Sequence, residues 1–271
     1  MKKTFFYSFV IALMFIFFAG DLFAQSIKGG VVKYRQNKKY DFEKVFNLKG
    51  NKNPEIQNWL AALPKNSTYT KVLYFTSEAA LYQEVPGEKS GLMDAESQIK
   101  LQQALTKASY VKKPSPELEK VFYDFGKNEI IRQVEFMTRY FLVSGPMKNK
   151  TWKLVNKRVK VLDFTCMCAE LKKGDNTVTA WFTPEIPLSA GPDEFYGLPG
   201  LILAVEINGE YVFVAESVDL TPPEKDVLYK KGKGKEVSQE EFSRIVEDKV
   251  KEWEEDNKAK QNKNVKKQYI K

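Results

Sequence analysis

The fold class this sequence predicts is mainly β: an antiparallel meander curving into an open sheet or half-barrel, with a helix near the C-terminus. Three observations predict it. Short runs rich in β-branched and aromatic residues recur along the chain. Turn residues separate them at hairpin spacing. The clearest helical periodicity comes late, after Ser238.

The elements follow in order. Asn53-Pro54 opens a short helix through Leu63, because asparagine caps and proline suits the first helical position; Pro64 then stops it. Thr70–Thr76 reads as a strand. Asp94–Ala108 is either a polar helix or a mobile insertion. Lys120–Phe125 and Glu129–Phe136 flank Gly126-Lys127-Asn128 as a hairpin. Thr151–Val155, Val159–Leu162 and Phe164–Leu171 are β-rich, and Gly174-Asp175-Asn176 turns the chain into Thr177–Thr183. Asn208-Gly209 joins Leu201–Ile207 to Glu210–Val218, since both positions tolerate positive φ. Lys230–Lys235 reads as a flexible basic linker. Ser238 and Glu241 form a capping box, and Phe242, Ile245, Val246, Val250 and Trp253 then make one apolar stripe, a docking face for the sheet or a partner. That helix is expected to end near Asn257, with Lys258–Lys271 a mobile basic extension suited to weak contact with an anionic membrane.

Composition excludes much chemistry. The 271 residues include no histidine and two cysteines, so imidazole acid–base chemistry, His-ligated zinc and a four-thiolate site within the chain are all ruled out. No cofactor is expected. Lys2 and Lys3, the apolar run Phe5–Ala19 and Ala24 make an export signal over residues 1–24. The periplasm is the expected compartment, with secretion the alternative. No later stretch is long and apolar enough for a transmembrane segment in the mature chain. Beyond the signal, a β-rich domain is expected over residues 25–222, and a linker, helix and lysine-rich tail over 223–271. Without the signal the chain holds 41 basic and 34 acidic side chains; six lysines with no acid fall in residues 257–271, leaving residues 25–256 at +1. A near-neutral body argues against nucleic acid as partner.

Trp181-Phe182-Thr183-Pro184-Glu185-Ile186-Pro187 precedes Gly191-Pro192 and Gly197-Leu198-Pro199-Gly200-Leu201-Ile202. The strand ends at Thr183 because Pro184 and Pro187 cannot donate to a ladder. Leu198–Leu201 fits a type II turn with positive φ at Gly200. The segment reads either as a shaped connection or as a rigid binding rim, with Trp181, Phe182, Leu198, Leu201 and Ile202 as apolar contacts and Glu185 as the polar one.

This segment resembles the GLPGLI family of exported Bacteroidota proteins. Lys71–Phe75, Val121–Asp124, Thr151–Leu154 and Val161–Cys166 resemble that family's upstream blocks in order. The resemblance implies an envelope protein with an antiparallel β fold, similar to the half-barrels of LolA-like carriers, and no defined enzymatic activity. Cys166-Met167-Cys168-Ala169 departs from the family's single cysteine. On a strand the two cysteines share a face with their Cα atoms about 6.5–7 Å apart, which leaves buried thiols, a strained local disulfide or a Cu(I) site open. Glu185, Asp193 and Glu194 are the carboxylates near the rim. Turn or solvated roles are expected for them, with acid–base work in a hydrolase the alternative. The expected function is therefore a non-enzymatic binding or accessory protein for an apolar ligand or an outer-membrane protein segment. Metal handling for a transporter and a carboxylate-dependent hydrolase stand as alternatives.

Overall fold

The computed structural model describes residues 27–85, 94–111, 113–228 and 232–269. The stretch 1–24, where an export signal is expected, lies outside the described residues. In chain order the elements are β1 (Gly29–Lys39), α1 (Phe42–Val45), α2 (Pro54–Ala61), β2 (Asn66–Thr76), β3 (Ala79–Glu84), α3 (Ala95–Val111), β4 (Glu117–Asp124), β5 (Glu129–Phe136) and β6 (Arg139–Pro146). They continue as β7 (Lys153–Val161), β8 (Phe164–Lys173), β9 (Asn176–Thr183), β10 (Leu201–Ile207), β11 (Glu210–Asp219), α4 (Lys225–Leu228), β12 (Lys235–Ser238) and α5 (Gln239–Tyr269).

The described strands form one open sheet of 12 in the order β12-β6-β5-β4-β3-β2-β1-β11-β10-β9-β8-β7. Two antiparallel meanders, β1–β6 and β7–β11, meet at the β1–β11 pair. Connection length requires the sheet to curl. Residues 147–152 join β6 to β7, which stand near opposite edges, and so short a link reaches about 25 Å at most. Ten strand spacings laid flat would span about 48 Å. The mainly β class, the curved sheet and the C-terminal helix all stand as the sequence predicts.

Local chemistry accounts for the turns. Asn208 and Gly209 carry φ of 54° and 82°, the twisted two-residue hairpin expected of that pair. Met137 and Thr138 do the same between β5 and β6 at 49° and 65°, although neither is a usual turn residue. The Asn53 side chain caps α2 by accepting from the Glu55 amide at 2.9 Å. Ala95–Val111 form α3, the helical alternative for that stretch, with Asp94 accepting from the Ser97 amide at 2.9 Å ahead of its first turn.

Ser238 and Glu241 close the capping box reciprocally, at 2.9 and 3.1 Å. The first two turns of the apolar stripe dock on the sheet: Phe242, Ile245 and Val246 pack with Val134, Phe136, Phe141, Val143 and Val237. Two expectations need correction here. Of the linker expected over Lys230–Lys235, Lys230 and Lys231 lie outside the described residues, whereas the Lys233 amide donates to Gln133 at 2.9 Å and Lys235 opens β12, which pairs parallel with Phe141–Ser144. The helix does not end near Asn257 but runs to Tyr269, since no proline or glycine interrupts it and its residues tolerate helix. None of the described helices is long and apolar enough to cross a membrane.

A carboxylate turn held against the concave sheet

The chain between β9 and β10 fills the inside of the curve. Ile186, Leu188, Ala190, Phe195, Tyr196 and Leu198 share one buried cluster with Leu73, Phe75, Tyr82, Val121 and Tyr123 from the other half of the sheet. Tyr34 donates its hydroxyl to the Ile202 carbonyl at 2.7 Å, and the Leu201 and Ile202 amides bond Ile186 and Ala190 carbonyls at 2.9 and 3.0 Å. The segment thus folds back on its own exit.

The structure corrects the reading of several rim residues. Phe182, Leu198, Leu201 and Ile202 are all at most 2% exposed, so these apolar side chains belong to the core and cannot line an open mouth. Half-buried Trp181 donates its indole N–H to Glu206 at 2.7 Å. Glu185 is exposed and accepts from the Thr165 amide at 2.9 Å, holding the β7–β8 turn. Gly197 and Pro199 are exposed, and the Gly197 amide donates to Ser189 Oγ at 2.9 Å. The type II turn is not formed at Leu198–Leu201. Positive φ falls on Gly197, at 92°, and not on Gly200. Gly200 is needed for another reason: a Cβ there would sit 2.2 Å from the Thr183 carbonyl oxygen.

Cys166 and Cys168 are free thiols, both buried on β8. Burial pushes the Cys166 thiol up to about 11 and raises that of Cys168. Thiolate formation is therefore disfavoured, and no group of three or more Cys, Asp and Glu side chains could hold a metal among the described residues.

The polar centre lies elsewhere, at Asp193-Glu194. Asp193 takes φ 55°, a left-handed conformation that aspartate tolerates, and its carbonyl accepts from the Tyr123 hydroxyl at 2.7 Å. Glu194 Oε1 accepts from Arg132 Nη1 on β5 at 3.1 Å. Tyr123 and Tyr196 meet edge to face, their rings 5.7 Å apart, while Trp152 Nε1 donates to the Tyr196 carbonyl at 2.8 Å. Lys150 Nζ lies 4.4 Å from the Tyr196 ring centre, and Lys173 Nζ 5.8 Å from that of Phe195. Lys71, largely buried on β2, pairs with Glu84 at 2.8 Å.

Two polar atoms in this region are buried without a hydrogen-bond partner: Tyr82 Oη and Arg132 Nε. The Tyr82 hydroxyl feels the Asp193 backbone but makes no well-formed bond. Desolvation, then the neighbouring Glu194 charge, raises the Asp193 carboxyl to about 6, although Lys173, Lys71 and Lys150 pull it down. Burial lowers the Lys150 ammonium. The arrangement offers cationic and hydroxyl donors around a carboxyl that changes charge near neutral pH. Sequence reasoning weighed Asp193 and Glu194 but missed Lys71, Tyr82, Tyr123, Arg132, Lys150, Lys173 and Tyr196. An available signal was charge at strand positions whose alternation points inward, as with Lys71 and Arg132.

A protein-family model described as "Protein of unknown function (Porph_ging)" matches residues 146–204, which contain the carboxylate turn and Gly197–Ile202. No curated protein matches the chain. Two solved structures of PNGF-II are similar over 81% of this chain at 15% identity, with TM-scores of 0.49 and 0.48. This chain spans about a third of theirs, 33% and 32%.

Proposed function

We propose that the protein is a non-enzymatic binding or accessory protein of the cell envelope, exported to the periplasm. Its binding element is the polar basin around Asp193-Glu194, facing a ligand or a segment of an outer-membrane partner. The observation that carries this reading is the pair of buried, unpartnered groups, Tyr82 Oη and Arg132 Nε, beside that turn. A buried polar group left without a partner costs about 1–3 kcal/mol, and a fold that keeps two together offers a ligand what it lacks internally. The apolar side chains of the Gly197–Ile202 turn are consumed by the core, which moves the reading from an apolar ligand toward a polar one.

One observation favours a second reading, the carboxylate-dependent hydrolase: a carboxyl raised to about 6 is suited to proton transfer near neutral pH. Glu194, its neighbour, is engaged by Arg132 and is a poor free base. The metal-handling alternative draws least support, since both thiols are buried and held protonated.

Co-purification of the tagged full chain from its native envelope tests the binding reading, with the Lys150→Met/Lys173→Met variant run beside it. A partner or ligand retained by the native chain and lost from the variant is the expected result. Equal recovery from both, with the variant still folded by circular dichroism, would remove the basin as the binding element.

A further inference from the structure

We infer that the basin is a site for a small oxyanion, a carboxylate or phosphate-type group, held by Lys150, Lys173, Arg132 Nε and the Tyr82 hydroxyl beside Asp193. The inference rests on the binding reading above and names its ligand class. Among the described residues, neither Lys150 nor Lys173 has a carboxylate within ion-pair distance; each lies over an aromatic ring. Arg132 spends Nη1 on Glu194 and keeps Nε buried without an acceptor. Tyr82, 5% exposed, directs a hydroxyl without a partner to the same turn. Three of these four groups only donate, and the hydroxyl donates too, so what is missing is an acceptor with several oxygens.

Asp193 makes the site sensitive to pH. Facing it are Lys71 from β2, Tyr82 from β3, Tyr123 from β4, Lys150, Lys173 and its neighbour Glu194; behind these, Glu84 pairs with Lys71, Arg132 with Glu194, and Tyr196 packs on Tyr123. Its carboxylate opposes an incoming anion. Its protonation, near pH 6, removes that opposition. Anion binding therefore tightens as pH falls, by about tenfold if the bound anion raises the carboxyl by one unit.

Sulfate titration tests this, because sulfate keeps its charge across the range; Trp152 fluorescence reports it, since that indole bonds Tyr196. At constant ionic strength, saturable binding should tighten about sixfold from pH 7.5 to 5.5 in the native chain. Asp193→Asn should bind with little pH dependence, Tyr82→Phe several-fold more weakly, and Lys150→Met/Lys173→Met not measurably. A parallel trifluoroacetate series separates the sources: preference for sulfate assigns a phosphate-type group, preference for trifluoroacetate a carboxylate. Binding no stronger than chloride, or unchanged in both Tyr82→Phe and the double lysine variant, would overturn the inference. Envelope capture that needs Lys150 and Lys173 without sulfate binding overturns only the oxyanion class. Sulfate binding without any capture supports the anion site and removes the partner reading.

Discussion

The connection between β9 and β10 contains two regions under opposite constraints. Its ends are anchored in the core by tightly packed residues: Ile186 is 1% exposed, Leu198 is 2% exposed, and Gly200 has no room for a methyl group. Its middle, Asp193-Glu194, has a carboxyl raised by burial and unpartnered neighbours on β3 and β5. Packing alone would have filled the middle as it fills the ends. The contrast teaches that the Gly197–Ile202 turn is the part that holds, and the carboxylate turn the part that is held out.

The comparison can be sharpened by substitution. Gly200→Ala should cost most, upward of about 3 kcal/mol in denaturant unfolding, because a backbone carbonyl rather than a flexible side chain occupies the Cβ position. Ile186→Ala should cost about 3 kcal/mol by the same measurement, through lost burial and the cavity left behind. If either variant unfolds at the native midpoint, the ends are not the structural part.

Smaller effects come from the same substitution at two tyrosines. Tyr123→Phe removes a 2.7 Å bond to the Asp193 carbonyl and should destabilise by about 1 kcal/mol. Tyr82→Phe removes a buried hydroxyl with no partner and should be neutral or slightly stabilising, by less than about 1 kcal/mol. Equal losses at both would mean that Tyr82 is satisfied within the fold and the middle is as complete as the ends.

The sequence exposed the ends far better than the middle. Pro184 and Pro187 end β9, Asn208-Gly209 forms its hairpin, and the Ser238–Glu241 box starts α5, because each of these depends on neighbours within a few residues. The Gly200 requirement was visible as a glycine but assigned to φ. Its actual cause is a contact with Thr183, seventeen positions away, that the sequence cannot display. Met137-Thr138 hid the β5–β6 hairpin because neither residue favours positive φ, so the flanking strands must impose it. β12 was missed because parallel pairing of Lys235–Ser238 with β6 is a long-range event in a lysine- and glycine-rich stretch. The basin draws on β2, β3, β5, the β6–β7 connection and the end of β8, and only the curl of the sheet brings these together.

The central claim, that the middle of the segment carries an ill-accommodated charge, is tested most directly by the stability difference between the native chain and Asp193→Asn as pH is varied. The Asp193 carboxyl titrates near 6 when folded, against an ordinary value of 3.8. The folded state therefore binds the proton more tightly; the resulting contribution to stability is present below the ordinary value and is lost as pH rises through about 6. Asparagine keeps the shape, tolerates the left-handed backbone and carries no charge. The two proteins should unfold with nearly equal free energies at pH 4, and the variant should be more stable by about 1–3 kcal/mol at pH 7.5. A difference that is flat across this range, or a native chain more stable than Asp193→Asn at pH 7.5, would contradict the account.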